Sequence, residues 1–274
     1  MSEIFQPIGE ELLLLQDWHT FSGLVAGFTT KQGGFSEKPF ATFNLGLHVG
    51  DVDRSVQRNR QKLADVLQFP LERWVCCEQT HDSRIEKVTK RDAGKGAVHY
   101  HSAIAGTDGL YTEEAGILLA LCFADCVPLY FIAPKHGVVG IAHAGWKGTV
   151  KNIAGEMVRL WNEREHIPLD DIYVAIGPSI GSCCYIVDNR VINLVRKVLG
   201  KTETIPYRDV SLGQYALDLK ELNKLLLVKA GIHEQQIAVS DYCTSCAADL
   251  FFSHRRDNGQ TGRMMAFIGR KEEG

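Results

Sequence analysis

The chain has no apolar run approaching the roughly 18 residues of a membrane span, and no block of basic residues. The first absence predicts that no segment crosses a bilayer. The second, with a net charge of −3 at pH 7, removes the electrostatic footprint of a nucleic-acid binder. Repeats, low-complexity segments and Gly/Ser linkers are missing as well. Residues 12–15 are leucines flanked by Glu3, Glu10 and Glu11, too short a run and too acidic a flank for a signal-peptide core. A soluble cytoplasmic protein is the expectation. No GxxxxGK[ST] phosphate loop occurs. What remains is ordinary globular composition: 274 residues, 45% hydrophobic and 23% charged, enough for a sizeable core.

The eight cysteines are an even number, but without a secretory signal a reducing compartment would keep them as thiols. Cys76-Cys77 and Cys183-Cys184 are adjacent pairs. Neighbours on a strand point to opposite faces, so these pairs read as buried small hydrophobes. Cys243-Thr244-Ser245-Cys246 is a single CxxC with no second CxxC to complete a zinc ribbon, and reads as packing.

Apolar runs alternate with amphipathic segments, the signature of an α/β domain. Strands are expected at residues 23–30, 74–77, 84–88, 116–123, 128–133, 138–142, 171–176, 237–239 and 264–268. Helices are expected at 54–67 with Asp53 as cap, at 149–163 with Thr149 as cap, at 188–199 and at 217–230. Residues 91–106 read as a mobile surface loop. Because helices and strands interleave throughout, 1–274 reads as one domain.

The chemistry concentrates in Ala124-Asp125-Cys126-Val127-Pro128 and Ala142-His143-Ala144-Gly145-Trp146-Lys147-Gly148-Thr149. A thiol and an imidazole each end an apolar run, which suits neighbouring strands delivering both to one pocket. Pro128, unable to donate to a ladder, is expected to break the strand there. His81 comes after another short strand. Two His and one Cys suffice for an open zinc or copper site, or for a Cys/His nucleophilic centre, and spacing alone does not separate these. The expected helix start at Gly148-Thr149 would offer free N–H groups to an anion. Gly177-Pro178-Ser179-Ile180-Gly181 matches a GxSxG elbow, but residues 182–187 read as extended rather than helical, which makes it a decoy.

Several motifs occur in a fixed order. They are Lys31-Gln32-Gly33-Gly34, Asn44-Leu45-Gly46, Asn59-Arg60, Gln79-Thr80-His81, Ala124-Asp125-Cys126-Val127-Pro128, His143-Ala144-Gly145-Trp146-Lys147-Gly148, Gly177-Pro178-Ser179-Ile180-Gly181, Arg255-Arg256-Asp257 and Thr261-Gly262-Arg263. In this the chain resembles the laccase-domain polyphenol oxidase family, also described as purine nucleoside phosphorylases. The resemblance implies a single-domain α/β mixed-sheet sandwich with outer helices. It implies a metal site of His81, Cys126 and His143, with zinc or possible copper. It also implies phosphorolysis of adenosine, inosine and methylthioadenosine, with adenosine deaminase activity. Phenol oxidation and action on peptidoglycan precursors have also been linked to the family.

Around that implied chemistry, Asp125 is a candidate proton shuttle. Asn44, Arg60, Trp146 and Lys147 are candidate substrate contacts: Arg60 for phosphate, Trp146 or Phe43 for a flat base. Small molecules are the expected partners, and the chain is expected to be a monomer or weak homo-oligomer. Three rivals stand beside this reading: a Cys126-nucleophile hydrolase, a one-copper phenol oxidase, and a metal-binding partner protein of cell-division or wall enzymes with no turnover of its own. With only one HxH pair, His99-Tyr100-His101, the ten histidines are poorly arranged for a four-copper enzyme.

Overall fold

The computed structural model describes residues 3–18, 21–201 and 204–272. Its longest apolar runs are strands buried on both faces. In β7 (Ile117–Phe123), Ile117, Leu119, Leu121 and Phe123 enter one core while Leu118 and Ala120 enter another. In β8 (Val127–Ala133), Tyr130 and Ile132 share the first of these cores, and Leu129 and Phe131 face a third. Side chains that alternate between two apolar environments require a layer on each side of the strand.

The first sheet runs in the order β1 (Phe5–Ile8), β2 (Leu12–Leu15), β3 (Leu24–Thr29), β15 (Met264–Arg270), β7, β4 (Trp74–Val75). The second runs β14 (Ile237–Val239), β10 (Tyr173–Ile176), β8, β9 (Val138–Ala144), β6 (Gly109–Thr112), β5 (Ile85–Lys87). Both are mixed: pairing is antiparallel except for β4 on β7, β14 on β10 and β5 on β6. The sheets pack face to face through Phe28, Leu121, Phe123, Tyr130 and Ile141. Helix α1 (Asp53–Leu67) covers the outer face of the first sheet, setting Leu63, Ala64 and Leu67 against Leu118, Ala120 and Met265. The outer face of the second is covered by α3 (Ile153–Glu163), α4 (Asn189–Leu199) and α5 (Leu219–Lys229), through Met157, Trp161, Ile192 and Leu226. A small antiparallel sheet, β11 (Ile186–Asp188), β13 (Gln214–Leu217) and β12 (Tyr207–Ser211), adjoins α4. The α/β pattern of the sequence holds, and the mixed-sheet sandwich with outer helices is the one the resemblance implies. Among the described residues no helix is long and apolar enough to cross a membrane.

Four local expectations need correction. Helix α1 begins at Asp53, so Val52 takes the cap position and makes no side-chain bond there. The helix expected at 149–163 is two, α2 (Trp146–Val150) and α3. Asn152, at φ 62°, breaks the run and caps α3 by accepting from Gly155 N at 3.2 Å. Pro128 lies inside β8 at its second position, opposite His143, where its carbonyl accepts from Gly177 N. Near a strand's start the missing donor is tolerated. Residues 91–106 are fastened to the body: Cys76 N donates to Lys95 O, Ile104 N donates to Cys76 O, and Ala97 is buried.

Candidate metal centre

The chain passes from the first sheet to the second between β4 and β5, and again between β7 and β8. Each passage includes a residue in the left-handed region, His81 at φ 60° and Asp125 at φ 82°. Non-glycine residues rarely adopt this backbone, and such strain clusters at functional sites. Strand β9 runs antiparallel to β8 and sets His143 opposite Pro128, beside Cys126. The ligand atoms of His81, Cys126 and His143 all lie within 4.8 Å of one another. The two imidazoles meet edge to face, with centroids 4.7 Å apart. His143 is buried, Cys126 half-buried and His81 exposed, so the cluster opens on the His81 side. Gly145 leaves the room: a Cβ there would stand 2.9 Å from Cys126 Sγ and 3.1 Å from His81 Cδ2.

Asp108, just before β6, organises the cluster and was not singled out from the sequence. Its Oδ1 accepts from His81 N at 3.0 Å and meets His143 Nδ1 at 2.8 Å. Its Oδ2 accepts from Thr80 N at 3.0 Å and Asp82 N at 2.8 Å. Its backbone carbonyl accepts from His143 N at 2.7 Å. Burial pushes this carboxyl up, but the His143 bond, the N–H donors and the imidazole charge outweigh it and hold it below its ordinary value. A carboxylate on Nδ1 leaves Nε2 of His143 for the cluster, the usual arrangement behind a metal-bound histidine.

Burial likewise pushes the Cys126 thiol up. His143, by charge and hydrogen bond, and His81 more than reverse this and bring it to about 6. For His143, burial pushes down, while Cys126 and Asp108 carry it up to about 9. Without metal each partner thus favours the charged form of the other, a thiolate beside an imidazolium. Alkylation of Cys126 in metal-stripped protein should follow a midpoint near 6. An ordinary thiol titrates at about 8.5. Iodoacetamide rates read by mass spectrometry against pH check this, and a midpoint above 8 would contradict it.

Other expected site residues are engaged elsewhere. Asp125 accepts from Thr244 Oγ1 at 2.7 Å, Ser253 Oγ at 3.0 Å and Arg255 N at 2.7 Å, so it clamps the passage rather than facing the cluster. Asn44 is buried and pins its own loop through Gly46 N, Arg263 N and Asp51. The Arg60 guanidinium donates to the carbonyls of Leu45, Gly96 and Ala97 and is 3% exposed, which leaves no face for phosphate. Phe43 is core. Thr149 lies within α2, where its N–H bonds Gly145 O, so the helix starts three residues earlier than expected, at Trp146 with Gly145 as its N-cap. The GxSxG serine, Ser179, is buried and followed by a turn, not a helix.

Trp146 and exposed Lys147 stay near the site, with Lys147 Nζ 5.8 Å from the Trp146 ring centroid. Trp146, Tyr185, Asp188 and Arg255 line a cleft of about 400 Å³. Arg255 lies over the Tyr185 ring at 4.8 Å, and Tyr185 feels the charge of Cys126. On the other side, Arg263 lies within electrostatic reach of Cys122, Cys126 and Asp125. Its Nη1 donates to Thr261 O and Gly262 O, while Nε and Nη2 have no partner among the described residues. His48 stands at the mouth, its ring 5.4 Å from that of Tyr100.

The family model described as multi-copper polyphenol oxidoreductase laccase matches residues 25–271. The chain belongs to this laccase-like polyphenol oxidase family. Among curated relatives of the family, purine nucleoside phosphorylase YlmD of Geobacillus stearothermophilus is 62% identical over 253 residues, 92% of each chain. A purine nucleoside phosphorylase of Staphylococcus epidermidis is 39% identical, over 89% of this chain and 91% of its own. The crystal structure of the Geobacillus stearothermophilus YlmD superposes with a TM-score of 0.97 at 59% identity, covering 99% of this chain and 100% of that one. A family structure from Neisseria meningitidis superposes at 0.76 with 26% identity, over 91% and 95% of the two chains.

Proposed function

We propose that the chain is a purine nucleoside phosphorylase. In this reading it cleaves adenosine, inosine and S-methyl-5′-thioadenosine with phosphate to the free base and the (methylthio)ribose 1-phosphate, with adenosine deamination as a side activity. The observation that carries the reading is the His81/Cys126/His143 cluster locked by Asp108, in a chain whose relatives bear that name. One thiolate and two imidazoles suit zinc, and copper accepts the same donors. Such an ion, when bound, supplies a Lewis acid and a water ionising near neutral pH.

The chain's own groups do the rest. Asp108 fixes the His143 tautomer and ring plane. Trp146 and Tyr185 supply aromatic surface on which a purine stacks, and Lys147 and Arg255 bring polar ends to its rim. Phosphate is met by the free edge of Arg263, with His48 beside it, rather than by Arg60. In phosphorolysis a phosphate oxygen bonds C1′, the glycosidic bond breaks, and the base leaves with that electron pair and takes up a proton. The chain works as one domain over 1–274 in the cytoplasm, as a monomer or weak homo-oligomer, on small molecules.

The test is incubation of metal-loaded protein with each nucleoside, with and without phosphate, and resolution of the products. Free base that appears only with phosphate is expected. None, with the metal site shown to be filled, would overturn the reading. Arg263→Met should raise the phosphate KM about tenfold or more by removing charged hydrogen bonds, with the nucleoside KM nearly unchanged.

A second reading has its own observation. Cys126, His143 and Asp108 also form a thiolate–imidazolium–carboxylate line of the kind that activates a nucleophile. Hydrolysis of an amide or peptide-like substrate that survives chelation but not alkylation would favour it.

A further inference from the structure

Four thiols gather at a place the triad does not use. Cys183 and Cys184 come from the loop after β10, Cys243 and Cys246 from the segment after β14, and all four Sγ atoms lie within 4.8 Å of one another. Cys246 Sγ is 3.5 Å from Cys183 Sγ and 3.4 Å from Cys184 Sγ. Expecting the adjacent pair to point apart assumed a strand. Residues 182–184 instead form a turn, with Cys184 N and Tyr185 N both donating to Gly181 O, and a turn lets neighbouring side chains converge. Residues 244–246 form a second turn, closed by Ala247 N to Cys243 O. The CxxC does have a partner: the CC pair.

We propose that Cys183, Cys184, Cys243 and Cys246 hold a structural zinc ion as four thiolates, separate from the His81/Cys126/His143 site. With zinc–sulfur bonds of about 2.3 Å, a tetrahedron has sulfur–sulfur edges of about 3.8 Å. The spacing here brackets that value and exceeds the disulfide length of about 2.05 Å. An iron–sulfur cluster with its own sulfides needs a wider cage. Four soft donors in a closed set select zinc over the hard cations.

The surroundings suit the charge. Four thiolates around one divalent ion carry a net charge of about −2. Gly181 N donates to Cys243 Sγ at 3.2 Å, an N–H aimed at sulfur. Buried Lys220 feels the charge of Cys243, and its Nζ holds the carbonyls of Ser240 and Tyr242 just ahead of it. Gly181 also keeps space open, since a Cβ there would stand 3.3 Å from Cys183 Sγ. On binding, the thiols release their protons to solvent.

The ion's place gives it a task. Between the two ligands of the CxxC, Thr244 holds Asp125 through Oγ1 at 2.7 Å and Ser179 O through its N–H at 3.0 Å. On the other arm, Tyr185 comes directly after Cys184 and walls the cleft beside Trp146. The four thiols therefore tie the loop that carries Tyr185 to the segment that holds the Cys126 passage in place.

The experiment is zinc counting by mass spectrometry on protein purified under reducing conditions and supplied with zinc chloride. Two zinc ions per chain are expected in the parent, one in Cys183→Ser/Cys246→Ser, one in His143→Ala, and none in the combination. The double serine variant should also lose thermal stability and show a raised nucleoside KM with kcat less affected. A parent with a single zinc that His143→Ala removes and Cys183→Ser/Cys246→Ser leaves would overturn the proposal. Should the serine variant fail to fold, native alkylation of the parent decides. Zinc should shield these four cysteines and a chelator expose them. Cysteines that stay unreactive after chelation, at a mass short of two hydrogens per pair, are disulfides and overturn it.

Discussion

Asp108→Asn should weaken metal binding at the His81/Cys126/His143 site by about 10- to 100-fold, the usual loss when the group behind a metal-bound histidine is removed. Turnover at limiting metal should fall with it. The carboxylate serves donors on both oxygens: His81 N and His143 Nδ1 on one, Thr80 N and Asp82 N on the other. An asparagine carries only one acceptor atom. Whichever way it turns, its NH₂ faces donors, so either the turn around His81 or the His143 tautomer is lost. Competition against a chromophoric chelator measures the affinity. Unchanged affinity would mean that Asp108 does not position the ligands. The four-cysteine site supplies a control, since its zinc count should not move.

Arg60→Ala should cost about 3–5 kcal/mol of folding stability. Its guanidinium is buried and donates at 2.8 Å to Leu45 O, at 2.6 Å to Gly96 O and at 2.9 Å to Ala97 O. It thereby binds α1 to the loop that ends at Gly50 and to the segment after β4. Truncation strips the buried carbonyls of Gly96 and Ala97 of their donor and leaves Leu45 O only the Cys122 thiol at 3.7 Å. Urea unfolding of parent and variant gives the difference, read from the midpoint at constant slope. Under subdenaturing conditions the folded fraction should keep its phosphate KM. A raised phosphate KM with unchanged stability would return Arg60 to the substrate site.

The reach of the sequence depends on the physical origin of each signal. Strands β7, β8 and β9 were legible because burial on both faces leaves an unbroken apolar run. Helix α1 was legible because Val56, Leu63 and Leu67 share one face. Helix α2 was hidden by its shortness and by Gly148 inside it, a poor helix former that the tertiary fold overrides. The triad residues stood out because His and Cys at strand ends are rare enough to notice. Asp108 did not: an aspartate before Gly109 looks like a turn residue, and only the assembled sheets bring His81 and His143 to it. Arg60 and Asn44 sat in suggestive motifs, yet polar side chains near a glycine-rich loop serve its backbone as readily as a ligand. The four cysteines escaped because adjacent residues diverge on a strand but not in a turn, and periodicity does not report turns.

The position of β15 has a consequence for synthesis. This strand, Met264–Arg270, lies between β3 and β7 and pairs with both. On the ribosome, β3 emerges long before its neighbour exists. At about 5–20 residues per second the edge of β3 stands unpaired for on the order of 10–50 s, and that of β7 for the later part of that time. Such edges template association with other chains. The first sheet therefore cannot close until Met264–Arg270 has been made. Chains truncated within this strand should partition to aggregates or chaperones rather than fold with a frayed end.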